Sequence, residues 1–274
     1  MVLFPNAKIN LGLNILRKRA DGYHELETVF YPIGLKDGLE FIQNNKGVLR
    51  FSSSGIPLSI PDEDNIVLKA YRLLAADFTL PTLDIHLHKV IPSGAGLGGG
   101  SSDAAFFLQA LNDYFQLGLN LEALKGYAVA LGADCSFFLE NRPVLATGIG
   151  EMLFPIDCSL KGYHLIVVKP PVEVNTKSAY AEIKPAIPNY SLADAVRNNP
   201  ESWSGLVVNA FEQTVFARCP EIQKVKQQLL ELGAVYAAMS GSGSSVFGIF
   251  SKDVEMDSLT LGSDYFCWKE VIQA

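Results

Sequence analysis

The chain has 274 residues, 49% of them hydrophobic, with 22 basic against 29 acidic side chains and a net charge of −7. That length suits one large domain or two modest ones, and the acidic balance argues against nucleic acid or an anionic membrane surface as partner. Any anionic ligand must therefore be held by local positive groups. Cys135, Cys158, Cys219 and Cys267 form no C-x-x-C pair, which reads as reduced, non-metal cysteine in a cytoplasmic protein. The N-terminus shows no basic stretch followed by a long apolar core, and no apolar run is long enough to span a bilayer.

In chain order, residues 1–60 read mostly as strands broken by turns at Asp21-Gly22, Lys36-Asp37-Gly38 and Asn44-Asn45-Lys46-Gly47. Ile66, Val67, Ala70, Leu73 and Leu74 at helical spacing predict a first helix, with Asp62 or Asp64 as its cap. The alternation of residues 83–88 predicts a strand that delivers the chain to a glycine-rich loop. Ser101 or Ser102 is then expected to cap a helix with the apolar stripe Phe107, Leu108, Leu111 and Phe115. Asn120 caps the next helix and Gly132 ends it. Strands follow at 144–147 and 163–169, the latter stopped by Pro170-Pro171. Beyond this point helical patterns dominate, including a helix from Glu221 to Leu232 with Pro220 at its start and Gly233 at its end. A second Gly/Ser loop, 239–245, leads into a strand at 246–250. It either buttresses the first loop, closes over a substrate, or is a simple turn. Strands first and helices later favour α+β over a doubly wound sheet, with a domain change near 150–160.

The glycine loop carries the most chemistry. Between Pro92 and Ser102, Gly94, Gly96, Gly98, Gly99 and Gly100 supply five of seven consecutive residues, interrupted by Ala95 and Leu97. Glycines without Cβ let successive N–H groups turn toward one anion, and a following helix adds the positive end of its dipole. This predicts a phosphate site. No lysine precedes Ser101-Ser102, so it is not a Walker A loop, and the partner motifs of protein kinases do not occur. A dinucleotide fingerprint needs an acidic residue closing a second strand about 20 positions on. Glu122 has that spacing but lies in the helical pattern Leu121, Leu124, Ala128, Leu131.

Phosphoryl transfer also needs positive charge and a group that orients or deprotonates the acceptor. Lys8 lies in a short apolar strand. Asp134 lies just past a helix end among small and apolar residues. Each is a solvated surface charge or a working one, and spacing alone does not bring them together. Tyr23 could stack on a planar base and His24 could hydrogen-bond its edge, or both could belong to an ordinary turn. His86 and His88 share a strand face without a third ligand and read as ordinary strand residues. No metal-ligating cluster stands out.

Pro5-Asn6-Ala7-Lys8-Ile9-Asn10-Leu11, the segment Arg19 to Leu26, the glycine loop and Ser240 to Gly243 together resemble the GHMP kinase superfamily. The Asp21-Gly22-Tyr23-His24 turn resembles the branch acting on a cytidine diphosphate-linked methylerythritol in non-mevalonate isoprenoid synthesis. The resemblance implies a two-domain fold, S5-like over 1–152 and ferredoxin-like over 153–274, with the active site between the domains. It implies ATP as co-substrate, magnesium carried with ATP, and phosphorylation of the 2-hydroxyl of that alcohol. Lys8 would stabilise the reacting hydroxyl, and Asp134 would take its proton or orient it. Pro92 and Gly94 through Ser102 would wrap the phosphates, and Asn65 and Lys89 would contact the adenosine end. Asn10, Tyr23 and His24 would hold the cytidine diphosphate, with Tyr180 stacking the base from the other side. Cys135-Ser136 stands where the family often has Val-Pro.

Overall fold

Turn residues and helix caps divide the chain, whose computed structural model describes residues 1–58 and 60–273. The N-terminal elements are β1 (Val2–Leu3), β2 (Asn6–Lys18), β3 (His24–Lys36), β4 (Gly38–Gln43), β5 (Arg50–Gly55), α1 (Ile66–Asp77) and β6 (Leu83–Lys89). The glycine loop then opens α2 (Gly99–Phe115), followed by α3 (Leu121–Leu131), α4 (Cys135–Glu140), β7 (Val144–Thr147) and β8 (Met152–Pro155). The remainder comprises β9 (His164–Lys169), α5 (Thr176–Glu182), α6 (Leu192–Ala195), α7 (Glu212–Arg218), α8 (Pro220–Glu231), β10 (Tyr236–Met239), β11 (Val246–Phe250) and β12 (Phe266–Val271).

Contacts cluster into two compact units that cut the chain differently from the expected domains 1–152 and 153–274. One comprises Met1–Ala7, Leu35–Ser93 and Gly98–Arg142; the other comprises Lys8–Gly34, Gly94–Leu97 and Pro143–Ala274. The first contains the sheet β1-β4-β6-β5, in which β5 and β6 run parallel and the other pairs antiparallel. Strict alternation in β6 buries Leu83, Ile85, Leu87 and Lys89, and helices α1, α2, α3 and α4 pack on one another in the same unit. Phe41 of β4 meets Phe107 of α2 edge-on, with ring centroids 5.4 Å apart.

The second unit holds two antiparallel arrangements. In β2-β3-β7-β8, the first ten residues of β2 are buried. In β10-β11-β9-β12, Ile166, Val168, Met239 and Val246 join Phe211, Val225 and Leu229 in one apolar cluster, with α8 packed on β10 and β11. The expected α+β character is present throughout.

Two local expectations change. Asn65, not Asp62 or Asp64, caps α1: its Oδ1 accepts from the N–H of Val67 at 2.9 Å and of Leu68 at 3.3 Å. Neither Ser101 nor Ser102 caps α2, because the helix already begins at Gly99 behind a left-handed Gly98 with φ of 72°. Helices α5 to α8 outweigh the strands after residue 170, as expected, but β10 and β12, which sequence reasoning missed, join β11 and β9 in a four-stranded sheet. β10, Tyr236–Met239, is short and wholly buried, so it carries no in-out alternation for a sequence pattern to catch.

Candidate active site

Gly98 leaves the start of α2 without any side-chain cap. The first helical hydrogen bond there runs from Ser102 N–H to Gly98 C=O at 2.9 Å. The N–H groups of Gly99, Gly100 and Ser101 precede that bond and carry the partial positive charge of a 17-residue helix. Such an end is built to receive phosphate oxygens. Beside it, Asn65 is buried at the cap of α1, and Lys89 ends β6 with its ammonium paired to Asp37 and, at 2.9 Å, to Asp103. Burial works against the Lys89 charge, yet Asp103 and Asp37 hold its pKa above the ordinary lysine value. Sequence reasoning missed Asp37 and Asp103. Both lie in register with buried stripes, Asp37 after Ile33 and Leu35 and Asp103 one turn before Phe107, and that register was the available signal.

Asp134 is half-buried and immediately precedes α4. Cys135, where the family often has valine, begins α4 fully buried, its thiol pushed up to about 12 by burial. It is inert filler that leaves the carboxylate of Asp134 at the helix start.

The middle of the loop, Gly94 to Leu97, belongs to the second unit, where β2 brings Lys8 to it. Lys8 is only 3% exposed. Its N–H donates to Leu97 C=O at 2.9 Å, and its Nζ donates to Asn10 Oδ1 at 2.7 Å and Gly96 C=O at 3.2 Å. The same ammonium lies 4.9 Å from the centre of the Phe30 ring. Asn10, expected on the substrate, is buried: it holds Lys8 through Oδ1 and donates from Nδ2 to Thr28 Oγ1 at 2.9 Å.

The second Gly/Ser loop buttresses the first, one of the three alternatives its sequence left open. Ser240 Oγ donates to Gly96 C=O at 2.8 Å, Ser245 N–H donates to Ala95 C=O at 3.1 Å, and Asn10 N–H donates to Ser240 Oγ at 3.2 Å. Gly96 has φ of +76°, and a Cβ there would fall 2.0 Å from the Ser240 carbonyl oxygen. Only glycine fits that position. Asn209, which sequence reasoning did not single out, donates to Met239 C=O and Gly241 C=O at 2.7 and 2.8 Å and so fixes the buttress.

At the other end of β2, the tight turn into β3 displays Tyr23, which is 61% exposed. His24 faces Tyr180 of α5 with ring centroids 5.3 Å apart and planes inclined 29°. Tyr180 in turn meets Phe211 edge-on at 4.8 Å, so the apolar core fixes one side of its ring. Burial, then the charge of Lys18, pushes the His24 pKa below the ordinary imidazole value. A neutral imidazole beside an aromatic face suits a planar, uncharged base. His86 and His88 hydrogen-bond Ser52 and Ser54 on an exposed sheet face, as ordinary strand residues do.

Among the described residues, no three His, Cys, Asp or Glu side chains converge to hold a metal ion. The donor set fits a cation that arrives on a nucleotide's phosphates: Ser102 Oγ, at the start of α2, is fully buried and meets no hydrogen-bond partner among the described residues. Among the described residues, no helix is long and apolar enough to cross a membrane.

The GHMP kinases N terminal domain matches residues 65–141, and the GHMP kinases C terminal domain matches residues 185–259. A 4-diphosphocytidyl-2-C-methyl-D-erythritol kinase of Bacteroides fragilis is 52% identical over 98% of both chains. This chain belongs to the GHMP kinase family. A crystal structure of a 4-(cytidine 5'-diphospho)-2C-methyl-D-erythritol kinase superposes on this kinase with a TM-score of 0.75 at 34% identity, covering 91% of this chain and 90% of the other. The Methanococcus jannaschii mevalonate kinase superposes with a TM-score of 0.73 at 12% identity, covering 98% and 97% of the two chains, and so shares the fold.

Proposed function

We propose that this kinase transfers the γ-phosphoryl group of ATP to the 2-hydroxyl of 4-diphosphocytidyl-2-C-methyl-D-erythritol, in the cytoplasm, as a step of the non-mevalonate route to isoprenoids. The identity of the Bacteroides fragilis relative over nearly its whole length is the observation that carries the substrate. The uncapped N-terminus of α2, the buried ammonium of Lys8 and the His24–Tyr180 pair support the same reading. A homoserine or mevalonate kinase would have no use for an aromatic pair suited to a cytosine.

In the reaction, the 2-hydroxyl oxygen forms a bond to the γ-phosphorus as the bond to the β,γ-bridging oxygen breaks, and ADP leaves with that electron pair. Asp134 accepts the hydroxyl proton or orients the hydroxyl toward phosphorus. Lys8, aligned by Asn10, stabilises the charge developing on the reacting oxygens. Gly94 through Ser102 wrap the phosphates, the open N–H groups of Gly99, Gly100 and Ser101 among them, with Pro92 at the loop's entry; Asn65 stands at the adenosine end, and Lys89, engaged by Asp37 and Asp103, serves the nucleotide through the loop. Tyr23 and Tyr180 stack the cytosine while His24 reads its edge, and Asn10 serves the substrate through Lys8. Magnesium, held by Ser102 or Ser101 and the phosphates, would neutralise nucleotide charge. Its partners are small molecules rather than nucleic acid.

Mass spectrometry of the alcohol after incubation with ATP and magnesium tests the proposal. Gain of one phosphoryl group, absent when ATP is omitted, is the expected result. An unchanged alcohol, with homoserine or mevalonate phosphorylated instead, would reject the substrate.

A further inference from the structure

Phosphate loops rely on backbone N–H groups, so their affinity depends on where the chain ends that carry the loop are held. Here those ends share one buried polar cluster in the first unit. Asp37 lies between β3 and β4, and its Oδ1 accepts from the N–H of Val90 at 2.6 Å and of Ile91 at 2.8 Å, the residues that lead into the loop. Its Oδ2 accepts from Lys89 Nζ. The same ammonium donates to Asp103 Oδ2 at 2.9 Å, in the second turn of α2, where the loop ends. A Cβ on Gly99, the first residue of α2, would approach Lys89 Nζ to 3.1 Å, so the lysine head lies directly against the helix start. All three residues are almost wholly buried, at 2%, 3% and 1% exposure.

We infer that Asp37, Lys89 and Asp103 form a clamp that sets nucleotide affinity by fixing both ends of the phosphate loop. The inference rests on the reading of that loop as the ATP-phosphate site, and it makes Lys89 a positioning residue acting through the loop. A cation at a helix N-terminus opposes the dipole, so Lys89 is out of place there unless the two carboxylates hold it. Burial first, and Asp37 beside it, raise the Asp103 carboxyl to about 8 against the pull of Lys89, and its Oδ1 meets no partner among the described residues. An asparagine imitates that neutral acid in shape, whereas an alanine opens the α2 end of the clamp.

The test compares Asp103→Ala, Asp103→Asn and Asp37→Asn by KM for ATP, KM for the cytidyl alcohol, and calorimetric binding of β,γ-imido ATP. Asp103→Ala is expected to raise KM for ATP about tenfold or more while KM for the alcohol stays within about threefold, and Asp103→Asn restores the ATP value. Asp37→Asn keeps the side-chain volume but turns an amide toward the ammonium, and raises KM for ATP in the same selective way. It decides the matter by itself should Asp103→Ala not fold. Folded variants with unchanged KM for ATP, or with both KM values moved together, overturn the clamp. Wild type that binds no imido nucleotide would instead overturn the reading of the loop.

Discussion

Replacing Gly96 with alanine probes the buttressed loop where it is tightest. The new methyl must adopt φ near +76°, a left-handed conformation that costs about 1–2 kcal/mol for a residue with a Cβ. It must also displace the Ser240 carbonyl, whose oxygen lies 2.0 Å and whose carbon lies 2.8 Å from the ideal Cβ position. These are backbone atoms, so relief requires the two loops to part, at about 1–3 kcal/mol of overpacking. Gly94→Ala is the control, because Gly94 also has positive φ, +61°, yet its Cβ would meet nothing within 4 Å. The conformational cost is common to both variants and cancels in their difference. Urea unfolding of the ligand-free proteins should therefore find Gly96→Ala less stable than Gly94→Ala by about 1–3 kcal/mol. Equal stability, within about 0.5 kcal/mol, would refute the argument that Ser240 closes against Gly96.

Other consequences can be checked on the same protein. Tyr180→Ala should raise KM for the cytidyl alcohol by about tenfold, from the loss of about 1–3 kcal/mol of base stacking, and leave KM for ATP unchanged in steady-state assays. Because burial depresses the His24 pKa, the imidazole stays neutral to below its ordinary value of about 6.5. KM for the alcohol should thus be flat above about pH 6.5 and climb as pH falls through the depressed value, and His24→Gln should abolish that climb. The sign for Asp103 is opposite: its folded carboxyl, raised to about 8, keeps a proton that the unfolded chain releases above about pH 3.9. Its contribution to stability is therefore present at low pH and is lost as pH rises toward 8, so the urea midpoint of Asp103→Asn should gain on wild type between pH 6 and about pH 8.

Local pattern made much of this molecule legible before its structure. Alternation located β6, the glycine run located the start of α2, and Asn120 and Gly132 bounded α3 as read. What pattern could not convey was how residues distant in sequence use one another. Lys36-Asp37-Gly38 reads as a turn, but Asp37 is a single-residue break between β3 and β4, and its work lies with Lys89, 52 residues away. Asn10 matches a substrate-binding motif and turns out to be the partner that fixes Lys8. The serines after the glycines suggested a cap, whereas the left-handed Gly98 starts the helix earlier and leaves its N–H groups open. The sequence left the loop of Ser240 as a buttress, a closure over substrate or a simple turn, and the bond from the Ser240 hydroxyl to Gly96 C=O decides for the buttress. For Asp37 and Ser240 the missing information was a tertiary hydrogen bond, and for Gly98 a left-handed backbone conformation, neither of which propensity and periodicity encode.

The proposed part of Asp134 in moving or aligning the hydroxyl proton, and of Lys8 in stabilising the developing charge, is tested most directly by single-turnover ADP formation. Wild type, Asp134→Asn and Lys8→Met would each be mixed in excess with ATP, magnesium and the cytidyl alcohol. The account predicts that each variant loses about a hundredfold or more in rate. Rates within about threefold of wild type in Asp134→Asn would contradict it, leaving the carboxylate no part in moving or aligning the proton.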